Sequence, residues 1–354
     1  MYSRAGSAWA SAAFIGDTFE FDLERRPLHN LKSREFFLAH SRNPESFGLR
    51  SVKHSFYELE RPDGTSMLIR SMLSTHEIAL LYACARDLWD GGAIVDLGPL
   101  VGASTWALAK GLMEREKPPT VPIIHSFDLW RAEGAYSSYL HESQKGAAGS
   151  VLGEWIRATE GYHDVCEPHQ GDLSTWEWDE RPISILFVDV AKTWELNNQI
   201  VSTMFPCLQP GGILIQQDYI HWNEYWIHLE MARFRAYFEH CQFLRGATSF
   251  YRCIETPPLE LCLTPGNSLD YEHQIELLES ERELAPASIQ EVMKVAAAKH
   301  AMDNQDFDRA GNLLESVSLE PLTDNPLIEV SGIAKSNHQA AAVLLAKLLE
   351  RKTA

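Results

Sequence analysis

"GGAIVDLGPLVGASTW", residues 91–106, sets four apolar residues (Ala93, Ile94, Val95 and Leu97) around one acid, Asp96. Gly98 and Gly102 follow, and then a helix-like segment, "ASTWALAKGLMERE" (103–116). At a strand-to-helix turn, Gly98 permits dihedrals that a Cβ forbids, and Gly102 lets backbone come close to a ligand. The N-terminus of the helix over 103–115, with Ser104 in its first turn, offers free N–H groups beside both. Such a turn asks for a ligand that accepts N–H bonds and presents a cationic or hydroxyl-bearing group to Asp96.

Outward from this stretch, short apolar strands alternate with amphipathic helices. "PIIHSFDLW" (122–130), a strand near "DVCEPHQGDL" (164–173), "ISILFVDV" (183–190) and "GGILIQQDY" (211–219) read as strands. "SVLGEWIRATEGY" (150–162), "WELNNQIVSTMFPCL" (194–208) and "EYWIHLEMARFRAYFEHC" (224–241) read as helices, with a last strand pair in "QFLRGATSFYRCIE" (242–255). This alternation predicts an α/β fold, a doubly wound and mostly parallel sheet with its ligand at the carboxyl ends of the strands. Before it, 1–74 reads as an N-terminal arm followed by a hairpin at 54–70, turning at Pro62-Asp63-Gly64. "STHEIALLYACARDLWDGG" (74–92) is a helix capped by Ser74 or Thr75, with Glu77 in its first turn. Prolines 257, 258 and 265 mark a boundary. Beyond it, 270–354 reads as a helical C-terminal region, where "AAAKHAMDNQDFDRAGNLLESV" (296–317) looks like one helical hairpin of a tetratricopeptide unit.

Composition narrows the partners. The 354 residues carry 31 Lys+Arg against 49 Asp+Glu, a formal net charge of −18. Without a long basic run, such a chain is repelled by a phosphate backbone, so no nucleic-acid partner is expected. No apolar run approaches the roughly 18–20 residues that span a bilayer, so no membrane partner is expected either. "SAWASAAFIG" (7–16) is too short, with only Arg4 before it, to read as a signal peptide. The six cysteines (84, 166, 207, 241, 253 and 262) form no CxxC pair and read as small buried hydrophobes in a reducing cytoplasm.

Acids stand at successive strand tips. Asp128 at the second suits a ribose diol, whose hydroxyls it would accept, and Asp172 in "GDL" suits an adenine amino group. With Asp96 and the glycine turn, they suit a nucleoside without phosphates. Each acid alone also reads as a solvated loop residue or a helix cap. A dinucleotide site is excluded, because the turn lacks the Gly-x-Gly-x-x-Gly approach for a pyrophosphate.

"VDLGPLVGAST" (95–105), the acid after "HSF", "GDL", "LFVDVAKTWEL" (186–196) and "LQPGGILIQQDY" (208–219) resemble, in order and spacing, class I S-adenosylmethionine-dependent methyltransferases. The resemblance covers about residues 75–256. It implies a Rossmann-like, seven-stranded sheet with an antiparallel last strand, followed by a helical appendage. It also implies S-adenosylmethionine as cofactor, held by Asp96, Gly98, Gly102, Ser104, Asp128 and Asp172. "LFVDVAKTWEL" is further similar to small-molecule O-methyltransferases of the catechol, caffeoyl-coenzyme A and macrolide-sugar types. By that likeness Asp189 and Asp218 would bind a divalent cation such as Mg²⁺, and Lys192 would be the base. Tyr219 departs from the pattern, standing where catechol-type enzymes place a third metal ligand. His221, in "DYIHWNEYW" (218–226), is a further candidate base or else a loop histidine. The aromatics Trp130, Tyr136, Trp194, Tyr219, Trp222, Tyr225 and Trp226 wall an acceptor pocket, fill the core, or meet a second copy in a homodimer; residues 130–150 are a candidate lid. The expected activity is methyl transfer to a hydroxyl of a small molecule, a sugar or secondary-metabolite intermediate. The competing expectation is a degenerate methyltransferase fold acting as a scaffold through its helical tail.

Overall fold

The computed structural model describes residues 47–53, 55–131, 150–244, 247–318, 341, 343–348 and 351. The N-terminal arm up to residue 46 and, of the candidate lid over 130–150, residues 132–149 with Tyr136 lie outside them. The described chain begins with a three-stranded antiparallel sheet, β1 (Leu49–Lys53), β2 (Phe56–Glu60) and β3 (Ser66–Arg70). β2 and β3 are the expected hairpin; β1, polar and basic, carries no pattern that marks it in advance.

α1 (Thr75–Ala83) opens with a complete capping box: Ser74 accepts from Glu77 N–H, and the Glu77 carboxylate accepts from Ser74 N–H. Buried Glu77 also accepts from Thr248 Oγ1 at 2.6 Å, which fastens this helix to the loop that enters the last strand of the large sheet. The large sheet follows as β4 (Ala93–Leu97), β5 (Ile124–Asp128), β6 (Cys166–Gln170), β7 (Ile183–Val188), β8 (Leu208–Gln216), β9 (Phe238–Phe243) and β10 (Ser249–Cys253). Its order is β6-β5-β4-β7-β8-β10-β9, and the pairs from β6 to β8 are parallel. β10 runs antiparallel to both β8 and β9. Central β4 and β7 are buried along their whole length, as near-continuous apolar runs require when both faces are covered.

One face packs on α1, α2 (Ala103–Met113), α3 (Leu152–Ala158) and the small sheet, around Trp106, Trp130 and Trp155. The other face packs on α4 (Trp194–Met204) and α5 (Tyr225–Arg233). A short α6 (Leu259–Cys262) leads to α7 (Tyr271–Leu284), α8 (Ala287–Asp303) and α9 (Phe307–Glu315). α8 buries Ile289, Val292, Met293 and Ala296 in the same core as α5. Its other side meets Ala310 and Leu314 of α9 together with Leu344 and Leu348. α8 and α9 therefore form the helical hairpin the sequence suggests, seated on the sheet domain through α8.

Two expectations need correction. The helix expected over 224–241 ends at Arg233, and Phe238–Phe243 is β9. Buried Phe238 packs against Phe205, and pairing with β10 overrides the helical period of the segment. The strand expected over 211–219 runs instead from Leu208 to Gln216, with Pro210-Gly211-Gly212 inside it. Ile183 pairs with Leu208 and Ile185 with Ile213, so the three residues are accommodated as a bulge.

Candidate functional site

Four backbone bonds tie the carboxyl ends of the parallel strands together. Gly98 N–H donates to Phe127 C=O at 2.9 Å, and Asp189 N–H donates to Leu97 C=O at 2.9 Å. Gly171 N–H reaches Asp128 C=O at 3.1 Å, and Gln217 N–H reaches Val188 C=O at 3.0 Å. The loops that leave these strands therefore start from one fixed rim.

Gly98, at φ +86°, is required twice over: a Cβ there would lie 2.6 Å from Val190 Cγ1 and 2.7 Å from the Asp189 carbonyl oxygen. Bare backbone at Gly98 lets the β4 and β7 tips meet. Gly102, at φ +93°, turns its bare side toward Trp155 and Ala158, where a Cβ would stand 2.9 Å from the alanine methyl. Its close approach is to α3.

Asp96 is wholly buried and accepts from Ser104 Oγ at 3.0 Å and Thr105 Oγ1 at 2.5 Å, which locks β4 to the first turn of α2. Its other oxygen, Oδ1, has no partner among the described residues. Burial lifts its carboxyl to about 7 against the pull of the two hydroxyls. Asp128 is half-buried and spans the rim, accepting from Leu100 N–H at 3.0 Å through Oδ2 and from Trp130 N–H at 2.6 Å through Oδ1. Burial raises its carboxyl too, against those backbone donors. Each oxygen keeps a lone pair for a ligand hydroxyl. Asp172, by contrast, is exposed and caps its own turn, accepting from Ser174 N–H at 3.0 Å and Ser174 Oγ at 2.8 Å. No bond brings it to the other acids.

Beyond β7 and β8 the acids and bases do converge. The Lys192 ammonium lies between two carboxylates, 3.4 Å from Asp189 Oδ1 and in direct contact with Asp218 Oδ2. Both acid side chains are only 13% exposed, whereas the lysine side chain is 46% exposed. Burial lowers the Lys192 pKa, but the two carboxylates more than offset it, and the group is held a firm cation. Asp189 is raised by burial, pulled back by Lys192 and raised again by Asp218. Trp226 Nε1 donates to Ala191 C=O at 2.6 Å and pins the loop that carries Lys192.

His221 stands beside this group, its N–H donating to Asp218 C=O at 3.0 Å. Its ring Nδ1 contacts Oε2 of buried Glu224. Burial lowers the imidazole pKa, but the bond and charge of Glu224 more than offset it and the net shift is upward. With Nδ1–H directed at Glu224, Nε2 carries the lone pair.

Residues 95–219 match the model of a family described as a methyltransferase domain. The stretch from β4 to the end of β8 is thus similar to a methyltransferase domain. No curated protein matches it in sequence. Among solved structures it is similar to the O-methyltransferase NovP, with 14% identity, 52% of this chain and 82% of that chain covered, and a TM-score of 0.40. It is also similar to a methyltransferase from Geobacter sulfurreducens, at 17% identity, 52% and 80% covered and a TM-score of 0.34. The calicheamicin methyltransferase CalS11 is similar at 12% identity, with 68% and 99% covered and a TM-score of 0.38.

Within the matched segment, the cation site suggested by resemblance does not fit as arranged. The position of a third ligand, Tyr219, is buried, and its hydroxyl donates to Glu281 Oε1 on α7 at 2.7 Å, away from Asp218. Lys192 occupies the space between the remaining two acids. The expected aromatic wall is largely core: Trp130, Tyr219, Tyr225 and Trp226 are buried, while Trp194 and Trp222 are partly covered. Glu224 escaped the sequence reading, although the His-x-x-Glu spacing across a loop before a helix was its signal.

Proposed function

We propose that the methyltransferase domain transfers a methyl group from S-adenosylmethionine to a hydroxyl of a small molecule, a sugar or secondary-metabolite intermediate, in the cytoplasm. The observation that carries this reading is the cluster of Lys192, Asp189, Asp218 and the His221–Glu224 pair beyond β7 and β8, on the rim that also bears Asp128. Gly98 and the first turn of α2 would hold the methionine part of the cofactor, and Asp128 the ribose. When bound, S-adenosylmethionine supplies a methyl on a sulfonium, open to in-line displacement by an oxygen.

The chain's own residues then have distinct tasks. His221 Nε2 accepts the acceptor's hydroxyl proton as the oxygen–methyl bond forms, and Glu224 steadies the resulting imidazolium. Lys192, fixed by Asp189 and Asp218, donates to the same oxygen and stabilises the negative charge that gathers on it. Its ion pairs with both acids suit an electrostatic role. No step passes through a metal ion, because Lys192 supplies the positive charge between the two acids.

Calorimetric titration with S-adenosylmethionine tests the cofactor reading. Native protein binds in the micromolar range, and Asp128→Asn binds roughly 10–100-fold more weakly, the worth of a charged hydrogen bond. Absence of binding to the native chain overturns the enzyme reading and leaves the scaffold. Once an acceptor is found in a screen of hydroxylated sugars and phenols, EDTA is expected to leave the rate unchanged. Loss of activity on chelation would return the cation to Asp189 and Asp218.

A further inference from the structure

His125, Glu167 and His169 lie on adjacent parallel strands, in the body of the sheet rather than at its carboxyl rim. β5 and β6 pair in the register His125↔Glu167 and Phe127↔His169. Side chains alternate along a strand, so all four project from one face. The ring nitrogens His125 Nδ1 and His169 Nε2 are 3.0 Å apart, and Glu167 Oε2 is 3.4 Å from the same His125 nitrogen. One ligand atom from each of the three residues falls within 4.8 Å of the other two.

We propose that His125, Glu167 and His169 form a binding site for a divalent transition ion of the zinc class, which clips edge strand β6 to β5. Metal–nitrogen and metal–oxygen bonds of about 2.0–2.2 Å in a tetrahedron set ligand atoms roughly 3.3–3.5 Å apart, and the two measured separations are close to that spacing. Two imidazoles with one carboxylate form a mixed nitrogen and oxygen donor set that suits such an ion better than Mg²⁺. His125 is 1% exposed, and Glu167 is on the surface, so a water has room for the fourth position.

The rings are also held in place. His169 stacks on Phe127 at 4.5 Å and meets the edge of Trp176 at 5.2 Å; His125 meets Trp178 edge-on at 5.5 Å. Arg181, the nearby cation, is paired with Asp179 at 2.6 Å and lies over Trp178. Among the described residues β6 is an outer strand of the sheet, paired with β5 alone, so a bond from an ion to both strands would fasten that edge. The site is independent of the methyl-transfer reading.

Tag-free, full-length protein titrated with Co²⁺ tests the proposal. The expected result is one equivalent bound, with the visible absorption of a tetrahedral nitrogen and oxygen site, displaced by Zn²⁺, and a thermal midpoint that rises with Zn²⁺. His169→Gln and Glu167→Gln each weaken Co²⁺ at least about tenfold, and Asp218→Asn leaves the spectrum intact. Glu167 is exposed, so its variant carries the test if His169→Gln misfolds. No absorption, or binding unchanged in Glu167→Gln, overturns the proposal and leaves a hydrogen-bonded histidine pair packed among tryptophans.

Discussion

Glu224 decides how His221 behaves. With Glu224 ionised against Nδ1, the imidazolium is favoured and the ring titrates above its ordinary value of about 6.5. A base acts only when unprotonated, so kcat/KM falls as pH drops through this raised pKa. Glu224→Gln removes the charge that favours the imidazolium, and the acid limb of the profile is expected to move to lower pH. His221→Ala is expected to lower kcat by roughly 10²–10⁴ while leaving S-adenosylmethionine affinity unchanged, measured by single-turnover assay and calorimetry. A limb that stays in place in Glu224→Gln would assign it to another group. At this scale the sequence pointed to the acids at the tips and to Lys192 and His221. It did not separate residues that share a cluster from residues that cap their own turns. Asp172 and Asp218 read alike in one dimension; only the fold reveals that Ser174 occupies the first and Lys192 the second.

Among the elements, β4, β7 and β8 were legible because a strand buried on both faces must be apolar throughout, and little else has that composition over so few residues. β9 was not, because "FEHC" continues the apolar spacing of α5 and only the partner strand β10 breaks the tie. The junction of β4 and β7 yields the sharpest stability test. Gly98→Ala imposes a left-handed conformation and drives a methyl into the Asp189 carbonyl. Together these are expected to cost roughly 2–5 kcal/mol in urea denaturation. Gly64→Ala, with open space around its Cα, bears only the conformational part, about 1–2 kcal/mol. Equal losses at the two sites would mean that the strand tips do not meet as described.

For the whole molecule, α8 is part of the core of the sheet domain. Ile289, Val292 and Met293 are buried against it, and each fully covered side chain contributes about 1.5–3 kcal/mol. A chain truncated after residue 256 is therefore expected to lose several degrees of thermal midpoint and to precipitate, as read by calorimetry and light scattering. Prolines 257 and 258 suggested a boundary because they end local structure. They carry no information on whether the next helices pack back, and that depends on apolar stripes too short to announce a partner.

The Tyr219–Glu281 bond joins residues 62 positions apart. The last strand of the large sheet ends at Cys253, so the residue adjoining Asp218 takes its anchor from a helix made after every strand of that sheet. Order at the carboxyl end of β8 therefore depends on a segment outside the sheet.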